Sequence, residues 1–268
     1  IGSYKMIRFR KMHGNGNDFV LLENLTQTQQ LTKAKVIKMG DRKKGIGFDQ
    51  LITINPPKKP FHDFYIRFFN TDGSEAIMCL NGVRSVGAFL WKENLFPKKT
   101  MILGTKSRTI QIDPTNSKQV KATIDFPSFI EVPKIEKRFL KKTGIQKYYF
   151  VDTGNSHLLI ESSRHKIHSC DLSALSEILR ARKIFKDTNI SLFMRERGAI
   201  LIRTNEAGAG ETLSCGSASA AIASVSLNSK NNIIVISKGG KITLKKINGK
   251  LEMIGPAEFI CEGIWQKK

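Results

Sequence analysis

Acidic residues are scarce in this chain: 23 Asp and Glu stand against 44 Lys and Arg, a formal net charge of +21 at pH 7. Such an excess makes nucleic acid, a membrane surface and an anionic substrate the candidate partners. The basic residues are dispersed, however, through 43–44, 58–59, 98–99, 137–142, 180–186 and 238–250, without the aromatic interleaving of a nucleic-acid track. A solvated surface accounts for them, and nucleic acid is not the expected partner. Cysteine is also sparse. Cys79, Cys170, Cys215 and Cys261 form no C-x-x-C pair and have no histidine at zinc-ligand spacing, so neither a metal site nor a disulfide framework is expected. Free thiols in a reducing compartment follow. No apolar run approaches the roughly 20 residues of a membrane span, and the N-terminus lacks a signal-type apolar core. We therefore expect a cytoplasmic protein with no membrane partner. Met6 is a candidate initiator, with residues 1–5 an extension ahead of it.

What is present is a repetition. Gly73-Ser74-Glu75-Ala76-Ile77-Met78-Cys79-Leu80-Asn81-Gly82 is answered by Gly210-Glu211-Thr212-Leu213-Ser214-Cys215-Gly216-Ser217-Ala218. In both, a glutamate stands four residues before a cysteine, and a helical run follows. Upstream, Gly16-Asn17 is echoed by Gly154-Asn155, and Gln50 before Leu51-Ile52-Thr53-Ile54 by Asn189 before Ile190-Ser191-Leu192-Phe193. Three pairs in one order, at nearly one interval close to half the 268 residues, indicate a duplicated unit far longer than a solenoid repeat. Two domains are expected: residues 1–117, with the last strand 258–268 returning to them, and residues 118–257.

Alternation and turn residues place strands at 7–12, 19–22, from Gln50, and at 64–69, 101–104, 109–113 and 120–126. In the second half they fall at 148–152, 158–161, 189–194, 199–204, 233–237, 241–247 and 257–264. Helices are expected at 31–39, 82–93 and 216–227. A solvated helix fits the basic segment 134–142, beyond a crossing bracketed by Pro127 and Pro133. A further helix, capped by Asp171 or Ser173, should run to Phe185 with Leu172, Leu175, Ile178 and Leu179 on its apolar face. Residues 205–210 read as a Gly-rich loop, neither a Walker loop nor a dinucleotide fingerprint. His13 reads as a structural turn residue.

A lone cysteine at a helix start is usually a small core residue. Two at equivalent positions suggest chemistry, because helix starts favour thiolates and attract anions. If the halves face one another, one thiolate can take the proton of a carbon acid while the other thiol returns one, a two-base epimerisation without a cofactor. The helix starts would hold a carboxylate whose charge grows towards an enolate. Asn17, Gln50, Asn70, Asn155 and Asn189 would then be cleft amides, each offering donors and an acceptor, and His157 and Glu206 could set the thiols' protonation. Taken singly, the amides are turn or cap residues and His157 and Glu206 a satisfied histidine and a surface carboxylate. Acyl transfer by Cys215 with His157 is an alternative that leaves Cys79 unused. Two facing thiols also raise the prospect of an inactivating disulfide.

The segments 13–19, 45–50, 69–75, 154–157 and 208–217, with the ending Gly255-Pro256-Ala257-Glu258-Phe259, resemble diaminopimelate epimerase over nearly the whole chain. The resemblance implies an α/β (α+β) fold of two pseudo-symmetric domains, each a sheet wrapped around a central helix, with the active site in the cleft between them. It implies Cys79 and Cys215 as the acid/base pair, assisted by His157 and Glu206. Leu80, Asn81, Gly216 and Ser217 would hold the carboxylate at the reacting centre, and Asn17, Gln50, Asn70, Asn155 and Asn189 the rest of an amino-acid substrate. The implied reaction converts LL- to meso-diaminopimelate, on the route to lysine and peptidoglycan, in a homodimer without cofactor or metal. Two departures stand out. Leu80 replaces the family's usual Gly, keeping the N-H but adding a side chain at the cleft. Ala207, after Glu206, replaces the usual Arg that grips the distal carboxylate, so either another cation substitutes or the distal group of the substrate is not a carboxylate. Ser156 for Pro and Asn15 for Leu are milder changes.

Overall fold

The computed structural model describes residues 6–27, 31–115, 117–131, 135–227 and 232–266. The reading of residues 1–5 as an extension ahead of Met6, and the placing of Pro133 and Lys134, lie outside the described residues. Two compact units emerge, residues 1–124 with 255–268, and residues 125–254. The first unit therefore runs past the expected boundary after residue 117, because the strand 119–125 hydrogen-bonds back to the strand before it.

The first unit contains β1 (Met6–Gly14), β2 (Asn17–Glu23), α1 (Lys33–Gly40), β3 (Gln50–Asn55), β4 (Phe64–Asn70), β5 (Glu75–Ala76), α2 (Leu80–Lys92), β6 (Met101–Gly104), β7 (Thr109–Pro114) and β8 (Gln119–Asp125). The second contains β9 (Ser128–Phe129), α3 (Lys137–Thr143), β10 (Lys147–Asp152), β11 (Ser156–Glu161), α4 (Arg164–Ser169), α5 (Leu172–Arg180), β12 (Asn189–Glu196), β13 (Ala199–Glu206), β14 (Gly210–Thr212), α6 (Gly216–Ser226), β15 (Asn232–Ser237), β16 (Gly240–Ile247) and β17 (Lys250–Pro256). The chain then returns as β18 (Glu258–Gln266), antiparallel to β1 in the first unit.

The duplication is visible in the ladders. Antiparallel β1-β2, parallel β2-β3, antiparallel β3-β4 and parallel β4-β6 are repeated as β10-β11, β11-β12, β12-β13 and β13-β15. Even the short hairpin before each cysteine keeps its register: Phe68 faces Ala76 and Phe69 faces Glu75, as Thr204 faces Thr212 and Asn205 faces Glu211.

Strands β2 and β3 are buried along their middles on both faces, which requires cover from two sides. On one side Val36 and Met39 of α1 pack with Val20, Leu22, Leu51 and Phe69. On the other lies α2, buried from Leu80 to Val86 without interruption, as a helix at the centre of a sheet must be. In the second unit Ile167 of α4 and Leu172, Leu175 and Leu179 of α5 pack on Leu158, Ile160, Ile190 and Leu192. The central helix there is α6, whose Ala218, Ala220, Ala221 and Ala223 are fully buried; small side chains let the strands approach it closely. No helix among the described residues is long and apolar enough to cross a membrane.

Several elements differ from the sequence expectation. Asp171 does cap α5, its carboxylate accepting from Ala174 N at 3.0 Å, but the helix ends at Arg180 and a separate 3-10 turn covers Lys183–Phe185. Ile178 consequently is 50% exposed rather than on the apolar face. The supposed loop 205–210 is a hairpin joining β13 to β14, in which Gly208 and Gly210 adopt φ of +81° and +78°. Strand β17 and the short helix α4, capped by Ser163, were not expected.

One turn fixes where the first unit's polar groups begin. Helix α1 is capped by Thr32, and after it Ile46 N and Gly47 N both return to Met39 O at 2.9 Å. A Cβ on Gly45 would lie 2.2 Å from Lys38 O and 2.7 Å from Met39 O, so alanine there must displace backbone. Gly45→Ala is expected to destabilise by at least the roughly 1–3 kcal/mol of ordinary overpacking. An unchanged urea midpoint would show that the turn yields freely.

Candidate functional site

In the first unit, Cys79 is the residue that caps α2, with extended backbone (φ −138°, ψ 118°). Its Sγ accepts from Gly82 N at 3.4 Å and donates to Asn17 Oδ1 at 3.4 Å. Asn17 opens β2, and its Oδ1 also accepts from Asn81 Nδ2 at 3.4 Å while its Nδ2 donates to Asp49 Oδ2 at 2.9 Å. Asn17, Cys79 and Asn81 thus form one linked cluster, positioned by a strand start and a helix start. A second cluster lies on the adjacent strands. Gln50 opens β3 opposite Asn70 at the end of β4, and its Nε2 donates to Asn70 Oδ1 at 3.0 Å. Gln50 Oε1 is buried with no hydrogen-bond partner among the described residues. Leu80 corrects an expectation: its side chain is 2% exposed and lies in the core, so it adds nothing to the helix-start surface.

In the second unit Cys215 caps α6, again with extended backbone (φ −108°, ψ 113°), and is 7% exposed. Burial pushes its thiol well above the ordinary value, and the nearby Glu206 carboxylate raises it further; hydrogen bonds from Ser217 and Ala218 oppose the shift. Cys215 Sγ lies 3.3 Å from Ser217 Oγ in the first turn of α6, which begins at Gly216. Glu206 ends β13, and its Oε1 accepts from Thr212 Oγ1 at 2.7 Å. The next residue, Ala207, donates its backbone N-H to Asn189 Oδ1 at 3.0 Å, tying the start of β12 to the β13 turn.

His157 is fully buried in β11, and burial holds its imidazole down to about 3. It is neutral at physiological pH. Its Nε2 lies 3.2 Å from Asn155 Oδ1, which accepts the proton, and its Nδ1 is buried without a hydrogen-bond partner among the described residues. Asn155 Oδ1 accepts from Thr153 Oγ1 as well, at 2.8 Å. Asn155 and Asn189 therefore both spend their carbonyl oxygens on the protein.

Sequence reasoning missed the braces behind both cysteines. Arg67 forms a two-pronged pair with Glu75, at 2.9 and 3.0 Å, and Arg203 forms the same pair with Glu211, at 2.8 and 2.7 Å. Each guanidinium holds its glutamate below the usual carboxylate range. The glutamates four residues before the cysteines thus lock the hairpins that deliver them. The signal was available: an arginine stands eight residues before the glutamate in both halves. Asp49 was also missed; it holds Asn17 and is itself bound by Arg42 at 2.8 Å.

A model of the family described as Diaminopimelate epimerase matches residues 9–130. Among solved structures, a phenazine biosynthesis protein of the PhzF family from Bacillus anthracis superposes with a TM-score of 0.76 at 15% identity, covering 97% of this chain and 99% of that one. A hydroxyproline epimerase from Agrobacterium vitis, with trans-4-OH-L-proline bound, gives 0.68 at 11% identity and covers 97% and 92%. A methylitaconate-delta-isomerase gives 0.62 at 14% identity, with 99% and 96% covered. The fold of these proteins extends over essentially all of this chain, and its first half matches the epimerase model. The chain thus has the fold of these proteins and is similar over residues 9–130 to diaminopimelate epimerases, with two units of one duplicated pattern, each a sheet around a buried central helix.

Proposed function

We propose that this protein is a cofactor-independent epimerase that inverts the α-carbon of an amino acid, with Cys79 and Cys215 as the acid/base pair and LL-diaminopimelate as the leading substrate. One observation carries the reading: in each unit of the duplication a cysteine occupies the N-cap position of the buried central helix, four residues beyond a glutamate braced by arginine. A structural role for one such cysteine would be ordinary. Its repetition, with register preserved, supports a paired role.

In this mechanism the thiolate of one cysteine removes the α-proton and the thiol of the other delivers a proton to the opposite face. The first-turn N-H groups at Leu80-Asn81 and Gly216-Ser217 bind the α-carboxylate, where charge accumulates as the proton leaves. Burial, reinforced by the Glu206 carboxylate, keeps Cys215 protonated, and neutral His157 contributes an open Nδ1 to the site. Asn17, Gln50 and Asn70 are polar groups for the ammonium and the chain, and Asn155 and Asn189 present donors to the distal end. Product meso-diaminopimelate would serve lysine and peptidoglycan synthesis, in a cytoplasmic homodimer, as the resemblance implies.

Ala207 favours a second substrate reading. Without a cation at this position, an amino acid whose distal group is a neutral acceptor suits the Asn155 and Asn189 amides as well as a carboxylate does. Proton NMR in D2O with reduced protein separates the two. Loss of the α-proton signal of LL-diaminopimelate with appearance of the meso isomer is the expected result. Exchange confined to single-carboxylate amino acids would move the assignment to the second reading, and exchange with neither would overturn both.

A further inference from the structure

Arg84 is the largest fully buried side chain in the described structure, and it lies in α2, five residues beyond Cys79. A buried guanidinium ordinarily has a carboxylate beside it, because desolvating an unpaired charge is costly. Arg84 has no carboxylate partner among the described residues. Its hydrogen bonds run only to uncharged oxygens: Nε to Pro256 O at 3.4 Å, Nη1 to Leu80 O at 3.5 Å, and Nη2 to Asn15 Oδ1 at 3.2 Å and Asn81 Oδ1 at 2.8 Å. The room for it is made by glycine. A Cβ on Gly255 would lie 3.1 Å from the guanidinium carbon, and one on Gly14 would lie 3.4 Å from Nη2.

The neighbouring charges are otherwise matched. On β1 and β2, Lys11 pairs with Asp18 at 3.1 Å; before β3, Asp49 is held by Arg42 at 2.8 Å; His13 of β1 and Glu258 of β18 lie 3.9 Å apart. Burial draws Arg84 down to about 10 against the opposing effect of Cys79, the one acidic group among the described residues that acts on it. In α6 the residue five beyond Cys215 is Ala220, also fully buried, and the charge near that cysteine is the Glu206 carboxylate. The duplicated thiols therefore have opposite electrostatic surroundings.

We propose that Arg84 is a positioning residue for the epimerase chemistry, whose buried positive charge has the Cys79 thiolate as its counter-ion and whose Nη2 fixes the Asn81 side chain beside it. The inference deepens the proposed function, since it makes Cys79 the resting base and Cys215 the resting acid. Fixing Asn81 Oδ1 on the guanidinium turns Asn81 Nδ2 towards Asn17 and the thiol, so one arginine sets both the charge and the donor geometry at the helix start.

The test reads the thiols without any substrate, so its failure is separate from failure of the epimerase reading. The rate of alkylation by iodoacetamide is followed against pH in the intact protein, with the Cys79 and Cys215 peptides quantified by mass spectrometry. The midpoint for Cys79 is expected to lie below that for Cys215 in the unaltered protein; midpoints in the reverse order would overturn the proposal. Using midpoints rather than rates removes the difference in access between the two sites. Arg84→Met is then expected to move the Cys79 midpoint upward by at least one pH unit, lowering its alkylation near neutral pH by about tenfold, with Arg84→Lys restoring most of the loss. A folded Arg84→Met protein with an unmoved midpoint would equally overturn it. If the methionine variant fails to fold, the order of midpoints in the unaltered protein and the Arg84→Lys shift decide.

Discussion

Alanine in place of Cys79 or of Cys215 is expected to slow epimerisation by roughly 10²–10⁴-fold, the usual worth of a positioned acid or base. Inversion needs a proton removed from one face and another delivered to the opposite face, so neither single variant should retain it. The structural cost is small by comparison. Cys79→Ala removes the acceptor of Gly82 N, a cap contact worth about 1 kcal/mol. Cys215 is 7% exposed at the N-cap of a helix built of small residues, so truncation leaves only a small void. Circular dichroism should be unchanged while chiral analysis of the product shows the loss. Undiminished turnover in either folded variant would show that the duplicated thiol is architectural, and the acyl-transfer alternative would specifically predict sensitivity at Cys215 alone.

How much of this was legible before the structure depends on how local each signal is. The helix-starting cysteines were readable because a cap, a preceding glutamate and a following apolar run all fall within a dozen residues, and because the motif occurs twice. The polar residues Gln50 and Asn189 were readable for the same reason, each standing directly before an apolar run, and Asn17 and Asn155 stand two and three residues before one. Helix α5 was extended too far because Ile184 and Phe185 continue an apolar spacing that the backbone interrupts after Arg180. The β13-β14 hairpin was hidden by its glycines, whose positive φ shapes a tight turn rather than an open loop. Arg84 was illegible in principle. Its burial depends on gaps left by Gly14 and Gly255, and the carbonyl that accepts its Nε-H, Pro256 O, lies 172 residues away. The side chain at Leu80 was misjudged because direction at a helix start is set by the packing of the whole helix.

His157 should make the protein acid-labile in a pH range where its carboxylates are silent. The folded imidazole is held down to about 3 by burial, whereas an unfolded histidine takes up a proton near 6.5. The unfolded chain therefore binds more protons between these values, so stability is fully present above 6.5 and falls as the pH is lowered, by up to about 1.4 kcal/mol per pH unit. The paired carboxylates Asp18, Glu75, Glu161 and Glu211 have folded values below their ordinary 3.8 or 4.5, so their contribution is lost only under more acidic conditions. Between pH 6.5 and 4.8 the slope belongs chiefly to buried imidazoles. His62 is also lowered, by burial first and by Lys59, but it is present in both proteins compared here. Urea unfolding of the unaltered protein across this interval should show stability falling by roughly 2 kcal/mol, and His157→Gln, which cannot titrate, should show a markedly flatter dependence whatever its absolute stability. Identical slopes would mean that His157 accepts a proton in the folded state and that water reaches Nδ1. A dry imidazole whose Nε2 proton is committed to Asn155 has a single free lone pair, at Nδ1, and with burial opposing its protonation it stays neutral in the folded protein across this interval.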